Sequence, residues 1–295
     1  MTEYAASRPA PISRLRDMID LGKPRLSVLV IFTSATGVWL APSPPGPART
    51  LAFLLATSCL VASANVLNAW IERDTDARMH RTRNRPLPAG RLDPPVALVY
   101  GIVLAALSLA GVALSSNALT TLLGAIAFVF YVLIYTPMKR WTPWAVVVGA
   151  VPGAIPPLMG WTAATGSLGA PGWFLFGILF FWQLPHFIAI ALHLEQDYRR
   201  GGIQALPVAR GPLSARRILF LTTVLLVAFT LAAPAFGVGG AASVLAAALL
   251  GAGFLVWAAA GLRRDASSAW ARRLFAFTLI YLPILVTVVV LDNLG

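Results

Sequence analysis

Asn68-Ala-Trp-Ile-Glu72-Arg-Asp74-Thr-Asp76-Ala-Arg78-Met-His80-Arg81-Thr-Arg83-Asn84-Arg85-Pro86-Leu-Pro88 stands between two apolar stretches. In a chain that is 58% hydrophobic, this run carries three of the eleven acids and five of the twenty-three lysines and arginines. If the preceding helix continues through it, Asn68, Glu72 and Asp76 recur every fourth residue and share one helical face. Two carboxylates and an amide beside an arginine cluster suit a magnesium-bound diphosphate. Hard Mg²⁺ takes carboxylate and phosphate oxygens, and guanidinium groups neutralise the remaining phosphate charge.

Outward from this run the chain is too apolar for an ordinary soluble domain, with a mean hydropathy of +0.77 over 295 residues. Nine stretches approach the roughly 20 apolar residues that cross a bilayer: 25–43, 50–71, 95–115, 118–137, 142–163, 172–194, 217–236, 239–261 and 274–291. The expected architecture is an all-α integral membrane bundle of about nine transmembrane helices. Residues 1–24 form a cytoplasmic N-terminal segment, and 25–295 form a single transmembrane domain. The Gly- and Pro-rich 142–163 stretch is expected to bend or break, where neighbouring helices re-satisfy the backbone.

Charge supports this count independently. With nine crossings and an internal N-terminus, the internal segments carry five, six, two, five and four basic residues, and only Arg49 falls outside. The positive-inside rule then places the N-terminus and the long loops in the cytoplasm; the cell's inner membrane is the expected location. The net charge of +12 is spread over short loops beside a lipid bilayer, which argues against nucleic acid. Cys59, the single cysteine, excludes a disulfide framework. No cleavable signal is apparent in Met1 to Gly22. A GxxxxGK[ST] loop, HExxH and GxSxG are all missing, so nucleotide hydrolysis, peptidase and hydrolase chemistry lack support.

A second polar cluster reads Trp182-Gln183-Leu-Pro185-His186-Phe187, then His193-Leu-Glu195-Gln-Asp197-Tyr198-Arg199-Arg200. His186 and His193 are seven apart and fall on nearly one face, with Asp197 one turn further. Two readings stand for this stripe: hydrogen bonds between helices, or a site to which Pro185 contributes a break. Asp76 and Asp197 also close the second and sixth spans, which suggests a weak four-helix repeat. Tyr135-Thr136-Pro-Met-Lys139-Arg140 ends the fourth span. Its two cations are placed either to reach a phosphate or to anchor the topology. Tyr135 and Trp182 serve as packing residues or offer a ring face to a cation.

Together these residues resemble the UbiA-type intramembrane prenyltransferases. The family's first acidic motif matches Asn68, Glu72 and Asp76. Within the family, the haem-modifying branch is the most similar: its Met-x-Arg-Thr-x-x-Arg-Pro-Leu tail matches Met79 to Leu87, and its WQ-x-PHF signature matches Trp182 to Phe187. Asp197-Tyr198, Leu206-Pro-Val208, Lys23-Pro-Arg25, Tyr135-Thr136 and the Pro156-to-Trp161 stretch fit as well. There are two departures. His193 stands where the wider family has Asp, and Ala145 stands where the branch often has Asn.

The resemblance implies transfer of a farnesyl group from farnesyl diphosphate to a vinyl group of haem b, giving haem O and free diphosphate. Its metal would be Mg²⁺ on Glu72, Asp76 and Asp197, with Asn68 beside them. Arg78, Arg81, Arg85, Lys139 and Arg140 would take the diphosphate, and Gln183, His186, His193 and Tyr135 the haem side. Haem-pathway or oxidase-assembly proteins are the expected partners. An aromatic quinone precursor as acceptor and a membrane transporter are the competing readings.

Overall fold

The computed structural model describes residues 11–263 and 266–294, so the first ten residues of the expected N-terminal segment lie outside it. The described residues form helices α1 (Pro11–Leu21), α2 (Pro24–Trp39), α3 (Pro47–Asp76), α4 (Pro94–Ser115), α5 (Ala118–Met138) and α6 (Ala145–Thr165). They continue with α7 (Ala170–His193), α8 (Glu195–Gly201), α9 (Leu206–Arg210), α10 (Pro212–Leu231), α11 (Ala241–Ala260) and α12 (Ser268–Leu294). Eight are long and apolar enough to cross a membrane; α2 is the shorter apolar helix. At 1.5 Å per residue its 16 residues span about 24 Å.

Proline opens many of these helices because its fixed φ suits the first turn and its missing N–H is unneeded there. The spans at α6 and α7 are the most enclosed, with 72% of their apolar stretch buried against 17% in α5. They form the centre of the bundle, and the others turn leucine-rich faces outward. Where α2 crosses α6 no side chain fits between the backbones. A Cβ at Gly37 would overlap the Pro157 carbonyl oxygen, and one at Gly160 the Ser34 carbonyl oxygen. Small residues at such crossings gain dispersion contact that lipid alone cannot provide.

Neither α6 nor α7 is broken at its prolines. Helix α6 runs unbroken through Pro152, Pro156 and Pro157, and α7 through Pro185. Both helices are enclosed by neighbours, and Gln183 of α7 ties the two together, donating Nε2 to the Ala150 carbonyl of α6 at 3.2 Å. The unexpected irregularity lies in α5, whose residues Phe130–Tyr135 are π-helical, with the Thr136 hydroxyl returning to the Tyr131 carbonyl at 2.7 Å. The repeat is imperfect for a similar local reason. Helix α3 runs straight through to Asp76, whereas α7 stops at His193 and Leu194 turns the chain, so Asp197 sits on the separate helix α8.

Arg49, the one basic residue outside the internal set, has a structural task. Its Nε and Nη2 donate to the Ser115 and Ser116 carbonyls, at 2.9 and 2.8 Å, satisfying the C-terminal end of α4. Helix α1 docks on the loop after α3: Met18 and Leu21 pack with Val66, Leu87 and Leu92, and Asp17 pairs with Arg91 at 3.0 Å.

Candidate active site

A cavity of about 320 Å³ opens where α3 and α5 end. Asn68, Glu72, Asp76, Arg81, Arg85, Tyr135, Lys139 and His186 all line it. The one-face spacing on α3 is therefore realised. Each acid has a cation, though not those adjacent in sequence. Lys139 Nζ lies 2.5 Å from Glu72, and Arg85 Nη1 lies 2.8 Å from Asp76. Arg73 turns instead to Asp74 and the Trp70 carbonyl, and Arg78 is exposed.

Asn68 orders this end of the cavity. Its Nδ2 donates to Glu72 at 2.9 Å and to the Thr136 hydroxyl at 3.1 Å, and its Oδ1 accepts from Lys23 Nζ at 3.0 Å. Lys23 reaches it from a left-handed backbone, φ 52°. That conformation costs a non-glycine residue on the order of 1 kcal/mol and aims the side chain inward. Burial lowers the Lys23 ammonium to about 7, with Arg85 and Lys139 adding to the push against Glu72 and Asp76. For Lys139 burial acts the same way, but the Glu72 carboxylate beside it outweighs that and holds its pKa above the ordinary value. Lys139 also lies over the Tyr135 ring, 4.8 Å from its centre, so one face of that ring already holds a cation.

The apolar lobe is lined by Leu26, Val146, Phe187, Ile190, Leu206 and Phe275, with His186 in its wall. His186 Nδ1 is 2.6 Å from the Thr278 hydroxyl, and its ring stacks on Trp182 at 4.4 Å. Thr278 occupies Nδ1, which leaves Nε2 as the ring nitrogen available to a ligand.

Four expected site residues point elsewhere: Gln183, His193, Arg140 and Arg78. Gln183 ties α7 to α6 as described. Trp182 likewise packs, donating Nε1 to the Thr278 carbonyl at 2.9 Å, and does not line the cavity. His193 lies 2.9 Å from Ser268 at the start of α12. The two histidines do share a face of α7, and that face meets α12. Arg140 is exposed and donates to the Ile71 carbonyl at 3.1 Å, while Arg78 lies outside the cavity wall.

Asp197 departs furthest from expectation. Its carboxylate accepts from the backbone amides of His80 and Arg81, at 3.2 and 3.1 Å, and pairs with Arg200 at 3.1 Å. Burial raises its pKa, but those amides and Arg200 outweigh burial and leave it below the ordinary value. It fastens the loop after α3 in place of joining Glu72 and Asp76. Among the described residues no group of three or more His, Cys, Asp or Glu is arranged to hold a metal.

The sequence reading gave no site role to Tyr131, Tyr198 or Phe275, which line the cavity, and little weight to Lys23. Tyr131 and Tyr135 both lie in the π-helical turn and both reach the wall, with ring centres 5.4 Å apart.

Residues 30–280 match the UbiA prenyltransferase family. The chain belongs to this family. It is 49% identical to a protoheme IX farnesyltransferase of Anaeromyxobacter dehalogenans over 284 residues, 96% of both chains. It is also 48% identical to one of Myxococcus xanthus over 293 residues, 99% of both. Among solved structures it resembles digeranylgeranylglyceryl phosphate synthase, with a TM-score of 0.79 at 17% identity over 95% of this chain and 99% of that one. A UbiA homologue from Archaeoglobus fulgidus bound to DMAPP and Mg²⁺ gives 0.66 at 17% identity, over 90% and 98% of the two chains. These structural likenesses concern the fold. The UbiA bundle is thus a multi-pass membrane enzyme.

Proposed function

We propose that this UbiA-family chain transfers the farnesyl group of farnesyl diphosphate to a vinyl group of protoheme IX, making haem O. The near full-length identity to farnesyltransferases of protoheme IX carries the reading. The cavity supports it, because one space joins a polar end of two carboxylates and several cations to an aromatic lobe with a histidine in its wall.

Glu72 and Asp76 fit Mg²⁺ by donor chemistry: two hard carboxylates one turn apart, facing a space where diphosphate oxygens would complete the set. Bound there, Mg²⁺ would neutralise charge on the diphosphate. Arg85 and Lys139, now paired with those acids, would turn their donors to the phosphate oxygens, joined by Arg81. Their charge favours breaking the bond from the first farnesyl carbon to oxygen, whose electron pair leaves with the diphosphate. The vinyl π bond attacks the allylic cation, and water then adds to the new cation beside the porphyrin and gives up a proton. The apolar lobe keeps water out until that step. His186, with Nδ1 fixed by Thr278, positions the macrocycle through Nε2.

Residues 25–295 act as one transferase unit in the inner membrane, with residues 1–24 and the loop after α3 on the cytoplasmic side, as the basic residues favour. Incubating the purified protein with haem b, farnesyl diphosphate and Mg²⁺ and weighing the products tests the reaction. A mass gain of one farnesyl and one hydroxyl group on haem is expected. Prenylation of a phenolic acid with haem untouched would overturn the acceptor.

A further inference from the structure

Behind the polar end lies a second cavity of about 270 Å³, and Lys23, Arg81 and Arg85 line both spaces. Arg91, Asn84 and Asp20 belong to the second alone. Two of its four cations have acids at hand, Arg91 with Asp17 and Arg85 with Asp76. Arg81 has none: among the described residues its guanidinium makes no hydrogen bond or ion pair, although it stands at the junction. Cations gathered in a concave space this way concentrate field lines and favour an anion. Leu21, Ala69 and Pro86 are the apolar residues of a wall whose other six members are charged or polar, so the space suits a phosphate group without a long hydrocarbon chain.

We propose that this second cavity is an anion site that receives the free inorganic diphosphate once the prenyl chain has left it, an inference that rests on the transfer reaction above. The three shared cations hand the product across, and Arg91 with Asn84 receives it on the far side. The chemistry recognised is that of a phosphate-bearing anion. An anionic lipid headgroup is the other source of such a group, and the test separates the two.

The experiment uses the full chain in phosphatidylcholine nanodiscs and two substitutions of opposite sign outside the reaction machinery. Asp20→Asn removes a negative charge from the second cavity, and Asn84→Asp adds one. Inorganic diphosphate is the probe, and its inhibition constant is read beside the KM for farnesyl diphosphate. Asp20→Asn is expected to lower the inhibition constant about three- to tenfold, and Asn84→Asp to raise it by a similar factor, with KM unchanged. Inhibition constants equal to wild type, with normal turnover, overturn the proposal. So does a parallel shift of KM, which would make the effect a general field on the main cavity. Adding phosphatidylglycerol should leave the wild-type inhibition constant unaltered. A rise that Asn84→Asp abolishes would give the cavity to a lipid headgroup and overturn the assignment to diphosphate. Absence of any wild-type turnover would instead overturn the transfer reading.

Discussion

Replacing Glu72 by Gln separates two roles that the site gives to one side chain. The carboxylate meets Lys139 at 2.5 Å and Asn68 at 2.9 Å, with 9% of the Glu72 side chain and 18% of the Lys139 side chain exposed. An amide preserves the shape but strands the ammonium in poorly hydrated surroundings. Breaking a buried ion pair from one side costs about 3–5 kcal/mol; water reaching Lys139 through the cavity reduces this to roughly 2–3 kcal/mol. At about 2 °C per kcal/mol for a chain of this size, melting falls by about 5 °C. Adding Lys139→Met removes the stranded charge, and the double variant melts within about 2 °C of wild type. Turnover behaves differently. Loss of a metal ligand removes about 3 kcal/mol of transition-state stabilisation, a hundredfold in rate, and Lys139→Met does not restore it. Thermal unfolding in detergent and mass-spectrometric farnesylation, run on wild type, both singles and the double, read the two effects separately. A double variant as active as Lys139→Met alone would refute the reasoning, because Glu72 would then matter only as a counter-ion.

Arg85→Lys keeps the charge but loses the planar fork, so the apparent affinity for farnesyl diphosphate, followed by titration, should weaken about tenfold; an unchanged affinity would leave Arg85 as a partner of Asp76 only. His186→Ala should weaken haem b binding, seen in the Soret band of the purified complex, with farnesyl diphosphate affinity unchanged. Asp197→Asn removes a charged acceptor from the His80 and Arg81 amides, and their hydrogen exchange should quicken about tenfold or more. The sign of the pH effect follows from the lowered pKa of Asp197: its clamp is present above the ordinary value of 3.8 and is lost as pH falls through the lower, folded-state value.

Long apolar runs made the spans legible, because a bilayer imposes both length and composition on a helix. The α3 face was legible for a related reason: one uninterrupted helix carries a spacing rule from Asn68 to Asp76. The same rule failed at Asp197, since Leu194 ends α7 and periodicity does not pass through a break. Spacing also placed His186 and His193 on one face without saying which neighbour that face meets, and the neighbour proved to be α12. Lys23 was obscured by backbone conformation. A residue before proline is ordinarily extended, and nothing local announces the left-handed turn that carries its ammonium to Asn68. The cations that pair with Glu72 and Asp76 lie 67 and 9 residues away, and tertiary folding alone selects them over Arg73 and Arg78.

The crossing of α2 and α6 at Gly37 and Gly160 has a mechanical consequence. Packed cores rearrange by rotamer changes and by helices sliding over cushions of side chain. Backbone seated on backbone has no such cushion, so these two rods move as one rigid anvil. Room for a substrate as wide as a porphyrin then has to come from the other jaw. That jaw is the loop after α3, hung on Asp197 by two amides, together with the short helices α8 and α9.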